Sequence, residues 1–143
     1  MNAKKLSASR ARQILSAARN TRSLVVGDVM LDQFIWGGVS RISPEAPVPV
    51  GDFLRESFMP GGAANVSRNL ADLAVPTEIF GVIGNDDAAR KLQKLMDEQN
   101  IGCTGLVKNS ARHTSIKTRI VAQQQQVVRV DRETRIHLDA RTS

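Results

Sequence analysis

The chain has 143 residues, of which 41% are hydrophobic and 24% charged, and carries a formal net charge of +6. That length suits one domain of about 100–200 residues and excludes two full ones. The composition excludes wholesale disorder, and no apolar run nears the ~18 residues of a membrane span. A lone Cys103 excludes an internal disulfide framework and fits a reducing cytoplasm; with only His113 and His137 beside it, soft ligands are too few for structural zinc.

The excess charge is local. Lys4, Lys5, Arg10, Arg12, Arg19 and Arg22 lie in residues 1–22 with no acidic residue among them, and the other 14 basic residues balance the 14 acidic ones. No continuous apolar stretch follows, so the segment does not read as a secretory signal. Ser7 to Asn20 predicts a short amphipathic helix capped by Ser7, with Ala11, Ile14, Leu15 and Ala18 on one face. A helix packed on a domain edge with a solvated basic face accounts for it. Aromatic residues at 3% offer almost no stacking platform, so nucleic acid is not an expected partner, and neither is a membrane.

Residues 23–143 form the predicted domain. Ser23 to Leu31 is a near-continuous apolar run, as in a strand buried on both faces of a parallel sheet. Gln33 to Trp36 meets a turn signal at Gly37-Gly38. In Arg41 to Val50, prolines 44, 47 and 49 exclude a helix or central strand and predict an extended edge away from the main sheet, with Val50 to Phe58 continuing as strand. Pro60-Gly61-Gly62 opens a helix over Ala63–Ala74, and Thr77–Ile83 is a strand. Asp86 and Asp87 start a second helix running to Gln99, with Gly102 soon after its end. Ile101–Val107, Ser115–Ala122 and Gln124–Val130 complete the strands, the last two as a hairpin. The alternation of strand and helix predicts an α/β sheet with right-handed crossovers.

Chemistry concentrates at a few positions. Gly61-Gly62 before a helix lets a backbone approach an anionic or hydroxyl-rich ligand, and Asn65 offers a donor and an acceptor one turn in; a plain loop before a helix explains the glycines as well. Asp28 and Asp32 bracket the end of the first strand, where open α/β sheets hold ligands, or simply cap a turn. Gly81 to Asp86 lacks a dinucleotide spacing, and no phosphate-binding P-loop exists. Lys117 and Arg119 alternate on one strand face, as a phosphate clamp or a solvated face would, and Arg129 with Asp131 has the same two readings. His113 and His137 read as surface residues, and Cys103 as an inert thiol.

Taken together, Val25-Val-Gly-Asp28-Val-Met-Leu-Asp32, Ser40 to Val50 and Pro60-Gly-Gly-Ala-Ala-Asn-Val66 resemble the ribokinase-like (PfkB) carbohydrate kinases. Within that family the Arg41–Val50 block is similar to the branch acting on D-glycero-β-D-manno-heptose 7-phosphate. The likeness continues through Gly81–Arg90, Lys117-Thr-Arg119 and Gln125–Asp131, over about residues 23–133. The resemblance implies the N-terminal half of a doubly wound α/β sheet with a small β-lid over about residues 33–58. It further implies a kinase that moves the γ-phosphoryl of ATP, with Mg2+, to the anomeric hydroxyl for ADP-heptose and lipopolysaccharide core synthesis. Asp32 and Asn65 are then expected on sugar hydroxyls, Gly61 and Gly62 against the sugar, and Arg41 and Glu45 on the lid, while charge alone assigns Lys117 and Arg119 to the 7-phosphate. A sugar-phosphate substrate and a homodimer paired through the lid are the expected partners.

The sequence departs from the family in one respect. The Gly-Ala-Gly-Asp motif carrying the catalytic base and the Asn-x-x-Glu motif that organises magnesium are both absent, so no catalytic residue and no bound cofactor are expected for this chain alone. It reads as a half broken inside the fold, needing a C-terminal half, or as a non-catalytic sugar-phosphate-binding or dimerisation remnant. Half a sheet leaves an unpaired strand and an exposed apolar face, so marginal stability or self-association is expected.

Overall fold

The structure is a computed structural model and describes residues 6–138. Ser7 caps α1 (Ala8–Ala18), its hydroxyl accepting from the Arg10 N–H. The expected apolar stripe finds no edge to pack on: no residue of α1 is buried, and Ile14 and Leu15 stay exposed.

The apolar run from Ser23 to Leu31 is two strands rather than one. β1 (Ser23–Val26) and β2 (Val29–Ile42) enter different sheets. The break falls where hydrogen bonding changes hands: the Gly27 N–H still reaches the Phe80 carbonyl, while the Asp28 carbonyl accepts from Ala63. β2 then continues through Gly37-Gly38, where a turn was expected. The register against β3 (Pro49–Gly62) slips between Trp36 and Gly37, where Leu54 is the extra residue on β3, so the glycines stay paired beside a bulge of the neighbouring strand. The chain reverses instead at residues 43–48, where the Ser43 N–H bonds the Val48 carbonyl. β3 is an edge strand, which is where Pro49 and Pro60 can sit without costing a ladder bond.

α2 (Ala63–Asp72) ends short of Ala74 because Ala74 turns left-handed, at φ 59°. The Ala74 and Val75 N–H groups return to the Ala71 and Leu70 carbonyls, a Schellman closure without glycine. β4 (Thr77–Ile83) lies where expected. α3 (Asp87–Asp97) is capped by the Asp86 carboxylate and stops before Gln99; its left-handed residue is Asn100, at φ 56°, and not Gly102. β5 (Gly102–Lys108) follows. β6 (Ser115–Ala122) and β7 (Gln125–Arg132) make the expected hairpin around Gln123-Gln124.

Two sheets result. β1-β4-β5 is parallel, and β3-β2-β6-β7 is mixed, with β2 and β6 its parallel pair. The lid expected over residues 33–58 is therefore a four-stranded sheet that takes in β6 and β7. Val29 and Leu31 root it in a core shared with Ala64, Ile79, Ile83, Leu92 and Met96. Each such buried side chain contributes about 1.5–3 kcal/mol of hydrophobic stabilisation, so the base of the lid is held far more firmly than its exposed tip.

Candidate functional site

Strand alternation sorts β2 into two faces. Leu31 points into the core, so Met30, Asp32, Phe34 and Trp36 share the opposite face. Register brings neighbours to that face: Asp32 pairs with Met59 on β3 and Lys117 on β6, and Phe34 with Ser57 and Arg119. β7 adds Asp131 opposite Lys117 and Arg129 opposite Arg119.

The polar groups there are paired by charge. Arg119 donates from Nη1 to Asp32 Oδ1 and to the Lys117 carbonyl, and its guanidinium lies 5.2 Å from the Phe34 ring centre. Lys117 Nζ donates to Asp131 Oδ2 at 3.0 Å and stands 3.7 Å from Glu133. Arg129 grips both oxygens of Asp131, with Nε 2.9 Å from Oδ1 and Nη2 3.1 Å from Oδ2. The Lys117 hydrogen bond, against some desolvation and with the nearby Arg129 charge, holds the Asp131 carboxyl below its ordinary range. Phe34 and Trp36 stack at 6.1 Å, Arg55 covers Trp36 at 4.3 Å, and the indole N–H bonds Ser57 Oγ at 3.3 Å. This aromatic floor beside Asp32 was missed in the sequence, although Asp32-x-Phe34-x-Trp36 shows the period of two that produces it.

Both glycines have structural causes. A Cβ on Gly61 would stand 2.7 Å from Asp32 Oδ2, so the carboxylate is seated directly against the β3 backbone. Gly62 has φ 57° and ends β3 as the N-cap of α2; a Cβ there would strike the Asp28 carbonyl, which accepts from the Ala63 N–H at 2.8 Å. Asn65 lies exposed on the first turn of α2.

Arg41 and Glu45 do not join this group. Arg41 pairs with Val50 near the lid tip and Glu45 lies in the turn, its N–H on Ser43 Oγ. Nine strand residues from Asp32 put Arg41 roughly 30 Å away. Asp28, with Met30, Arg112 and Ser115, lines a cavity of about 720 Å³ at the carboxyl ends of β1 and β4, whereas Asp32, Gly61, Gly62, Asn65, Lys117 and Arg119 do not.

Asp86, read from the sequence only as a helix-terminus charge, is also a tether. One oxygen accepts from Ala89 at 2.9 Å and the other from the Thr114 N–H at 2.9 Å, while Thr114 Oγ1 accepts from the Gly84 N–H. Burial pushes its carboxyl up, but the hydrogen bonds from Ala89 and Thr114, with the Arg132 charge, bring it net below the usual value. His113 is exposed, 3.9 Å from Asp86. Burial above all, then the charges of Asp97 and Glu78, pushes the Cys103 thiol up to about 11, which makes it a poor nucleophile near neutrality. Among the described residues no three His, Cys, Asp or Glu side chains converge to hold a metal.

A parallel sheet from which a second, mixed sheet rises is the architecture of the ribokinase-like class. Solved structures share the fold: a carbohydrate kinase from Agrobacterium tumefaciens matches with TM-score 0.61 at 19% identity, covering 77% of this chain and 34% of that one. A ribokinase from Cryptococcus neoformans, solved in complex with ADP, matches with TM-score 0.55 at 21% identity, covering 78% of this chain and 34% of that one. The profile of the pfkB family carbohydrate kinases matches residues 20–141, and the chain belongs to that family. The "Bifunctional protein HldE" of Hyphomonas neptunium is 50% identical over 125 residues, covering 87% of this chain and 26% of that protein. The protein of the same name from Citrifermentans bemidjiense is 46% identical over 123 residues, covering 86% and 25%. The chain thus spans about a quarter of the length of these curated relatives.

Proposed function

We propose that this chain is the substrate-and-lid portion of an ATP-dependent kinase that phosphorylates D-glycero-β-D-manno-heptose 7-phosphate at its anomeric hydroxyl, in the cytoplasm, for ADP-heptose and lipopolysaccharide core synthesis. The observation that carries it is the Asp32 carboxylate, pinned by Arg119 and seated against Gly61 on a face floored by Phe34 and Trp36. A carboxylate so fixed accepts hydroxyl hydrogens without having to be ordered at binding, and Asn65 supplies both a donor and an acceptor. Aromatic rings cover the apolar side of a sugar, and Lys117 and Arg119 answer its 7-phosphate. Closure of the lid over the sugar excludes water from the acceptor hydroxyl. A strand about 30 Å long carries Arg41 and Glu45 beyond the chain's own Asp32, within reach of a second subunit's lid in the homodimer.

The residues present do not fit a nucleotide and its magnesium: the sequence has neither a Gly-Ala-Gly-Asp run nor a P-loop. The same observation favours a second reading, a module that binds sugar phosphate or dimerises without transferring a phosphoryl group, and in both readings a C-terminal half is the partner that would bring ATP chemistry. Among the described residues no helix is long and apolar enough to cross a membrane.

Calorimetric titration with heptose 7-phosphate tests the binding site. Saturable binding that Asp32→Ala or Asn65→Ala weakens tenfold or more, by roughly 1.4 kcal/mol each, is expected. Unchanged affinity in both variants removes the assignment. ATP turnover by residues 1–143 alone would overturn the need for a second half.

A further inference from the structure

We propose that the face of the four-stranded sheet turned away from Asp32 carries a second ligand site, a cavity between that sheet and the start of α3, and that it takes a small organic acid with an anionic head, carboxylate or phosphate, on an apolar or aromatic body. The site is independent of the sugar-binding reading, which concerns the opposite face.

Alternation and register build it. Leu31 and Gln33 point opposite to Asp32 along β2. Gln33 pairs with Phe58 on β3 and with Thr118 on β6, and Thr118 with Val130 on β7, which makes one row across all four strands. The next row runs from Leu31 through Ile116 to Arg132. Asp87, Ala88 and Lys91 at the start of α3 form the facing wall, and the space between measures about 360 Å³, a volume in the range of small-molecule sites.

Two cations border this cavity with no anion of their own. Asp87 lies four residues before Lys91, the spacing of a helical ion pair, yet it bonds Arg90, and Lys94 pairs with Glu98. Lys91 instead lays its ammonium over the Phe58 ring, 3.4 Å from the centre. Arg132 leans toward the same end of α3, close enough for its charge to act on Asp86. Among the described residues, no carboxylate stands within ion-pair distance of either Lys91 or Arg132. The neighbouring carboxylates are committed elsewhere, Asp86 to the Ala89 and Thr114 N–H groups and Glu56 to Gln33. Thr118 donates to Gln33 in turn, so the polar strip on the floor is already ordered. Unpaired positive charge beside an apolar floor is what an anion with an apolar body completes. Its head takes charge-assisted hydrogen bonds from Lys91 and Arg132, and its body covers Phe58, Ile116 and Val130.

A carboxylate and a phosphate share this chemistry, so the test separates them. The protein at the length its cell makes, isotope-labelled, is titrated with benzoate, phenyl phosphate, inorganic phosphate and phenol. The Ala88 and Ile116 methyl signals report on this cavity, and the Trp36 indole N–H on the opposite face. Expected is saturable movement of both methyl signals with benzoate or phenyl phosphate, at a Kd of about 1 mM or below and roughly tenfold tighter than for phosphate or phenol, with the indole signal still. The tighter of the two acids identifies the head group. Lys91→Gln and Arg132→Gln, at exposed positions that folding does not depend on, should each weaken binding about fivefold to tenfold. Lys91→Arg should keep most of it, and Lys94→Gln, the same charge change at a paired cation of α3, should leave it within about twofold. The proposal is overturned if neither acid saturates the methyl signals, if the indole signal moves in their place, or if phosphate or phenol binds as well as the acids. It is equally overturned if neither glutamine variant at 91 or 132 weakens binding, or if Lys94→Gln weakens it as much, since general surface charge then accounts for the effect.

Discussion

Asp86 holds two elements with one carboxylate, capping α3 through Ala89 and fastening the loop before β6 through Thr114. Its folded pKa lies below the ordinary value, so its ionised form stabilises the fold. That stabilisation is fully present above the ordinary carboxylate range and is lost as pH falls through the depressed value. Asp86→Asn is expected to cost about 1 kcal/mol at neutral pH in urea unfolding, with the gap to wild type closing as the solution is acidified. Gly61 presents a different constraint. A methyl group there meets the Asp32 carboxylate, so Gly61→Ala should destabilise by about 1–3 kcal/mol and weaken heptose 7-phosphate binding together, read by thermal unfolding and calorimetry. Gly61-Gly62 was legible as a backbone exception in the sequence. Its cause, a side chain 29 residues away in one case and a carbonyl in the other, was not, because spacing says nothing of which strand lies alongside.

At the scale of elements, two turns use residues that fit them poorly. Ala74 occupies the left-handed position that closes α2, at φ 59°. Ala74→Gly should raise stability by about 1 kcal/mol, measured as a shift in the urea midpoint at constant slope. Gln123 and Gln124 both have positive φ, 50° and 63°, as a two-residue hairpin turn demands. Replacing them with Asn-Gly should stabilise the β6–β7 hairpin by a similar amount and slow its amide exchange. The hairpin itself was readable because the single residue Gln123 separates the two β-rich runs read from the sequence, though Gln124 joins the turn rather than the strand, and β4 and the start of α3 at Asp86-Asp87 were readable for equally local reasons. The split at Gly27-Asp28 was not, since both halves of Ser23–Leu31 are apolar and only their hydrogen-bond partners differ.

Across the molecule, large apolar side chains face water in several regions, among them Leu24 and Val26 on β1, Ile42, Phe53 and Leu54 toward the lid tip, and Val127, Val128 and Val130 on β7. Val26 is 71% and Leu54 70% exposed. Edge strands carrying such residues invite association. Residues 1–143 alone are expected to self-associate, with a thermal midpoint that rises with protein concentration; a sharp, reversible, concentration-independent transition of a monomer would contradict this. The lid tip is the region where hydrogen exchange should be fastest, since its strands stand clear of the core that holds Val29 and Leu31.

The sequence by itself determined what depends on a few neighbouring residues: the caps, the hairpin, most strand bounds, and the motifs that carry the family resemblance. It also singled out Asp32, Lys117, Arg119 and the Arg129–Asp131 pair as charged positions on strands. Only the tertiary structure decided that Asp32 and Arg119, 87 residues apart, are partners, and that Arg129 stands opposite Arg119. It also decided that Arg41 and Glu45 lie at the far end of the lid and that the lid has four strands. The physical reason is range. Propensity, capping and periodicity act within a turn or two of chain, whereas sheet order and register are chosen by which faces can be buried together.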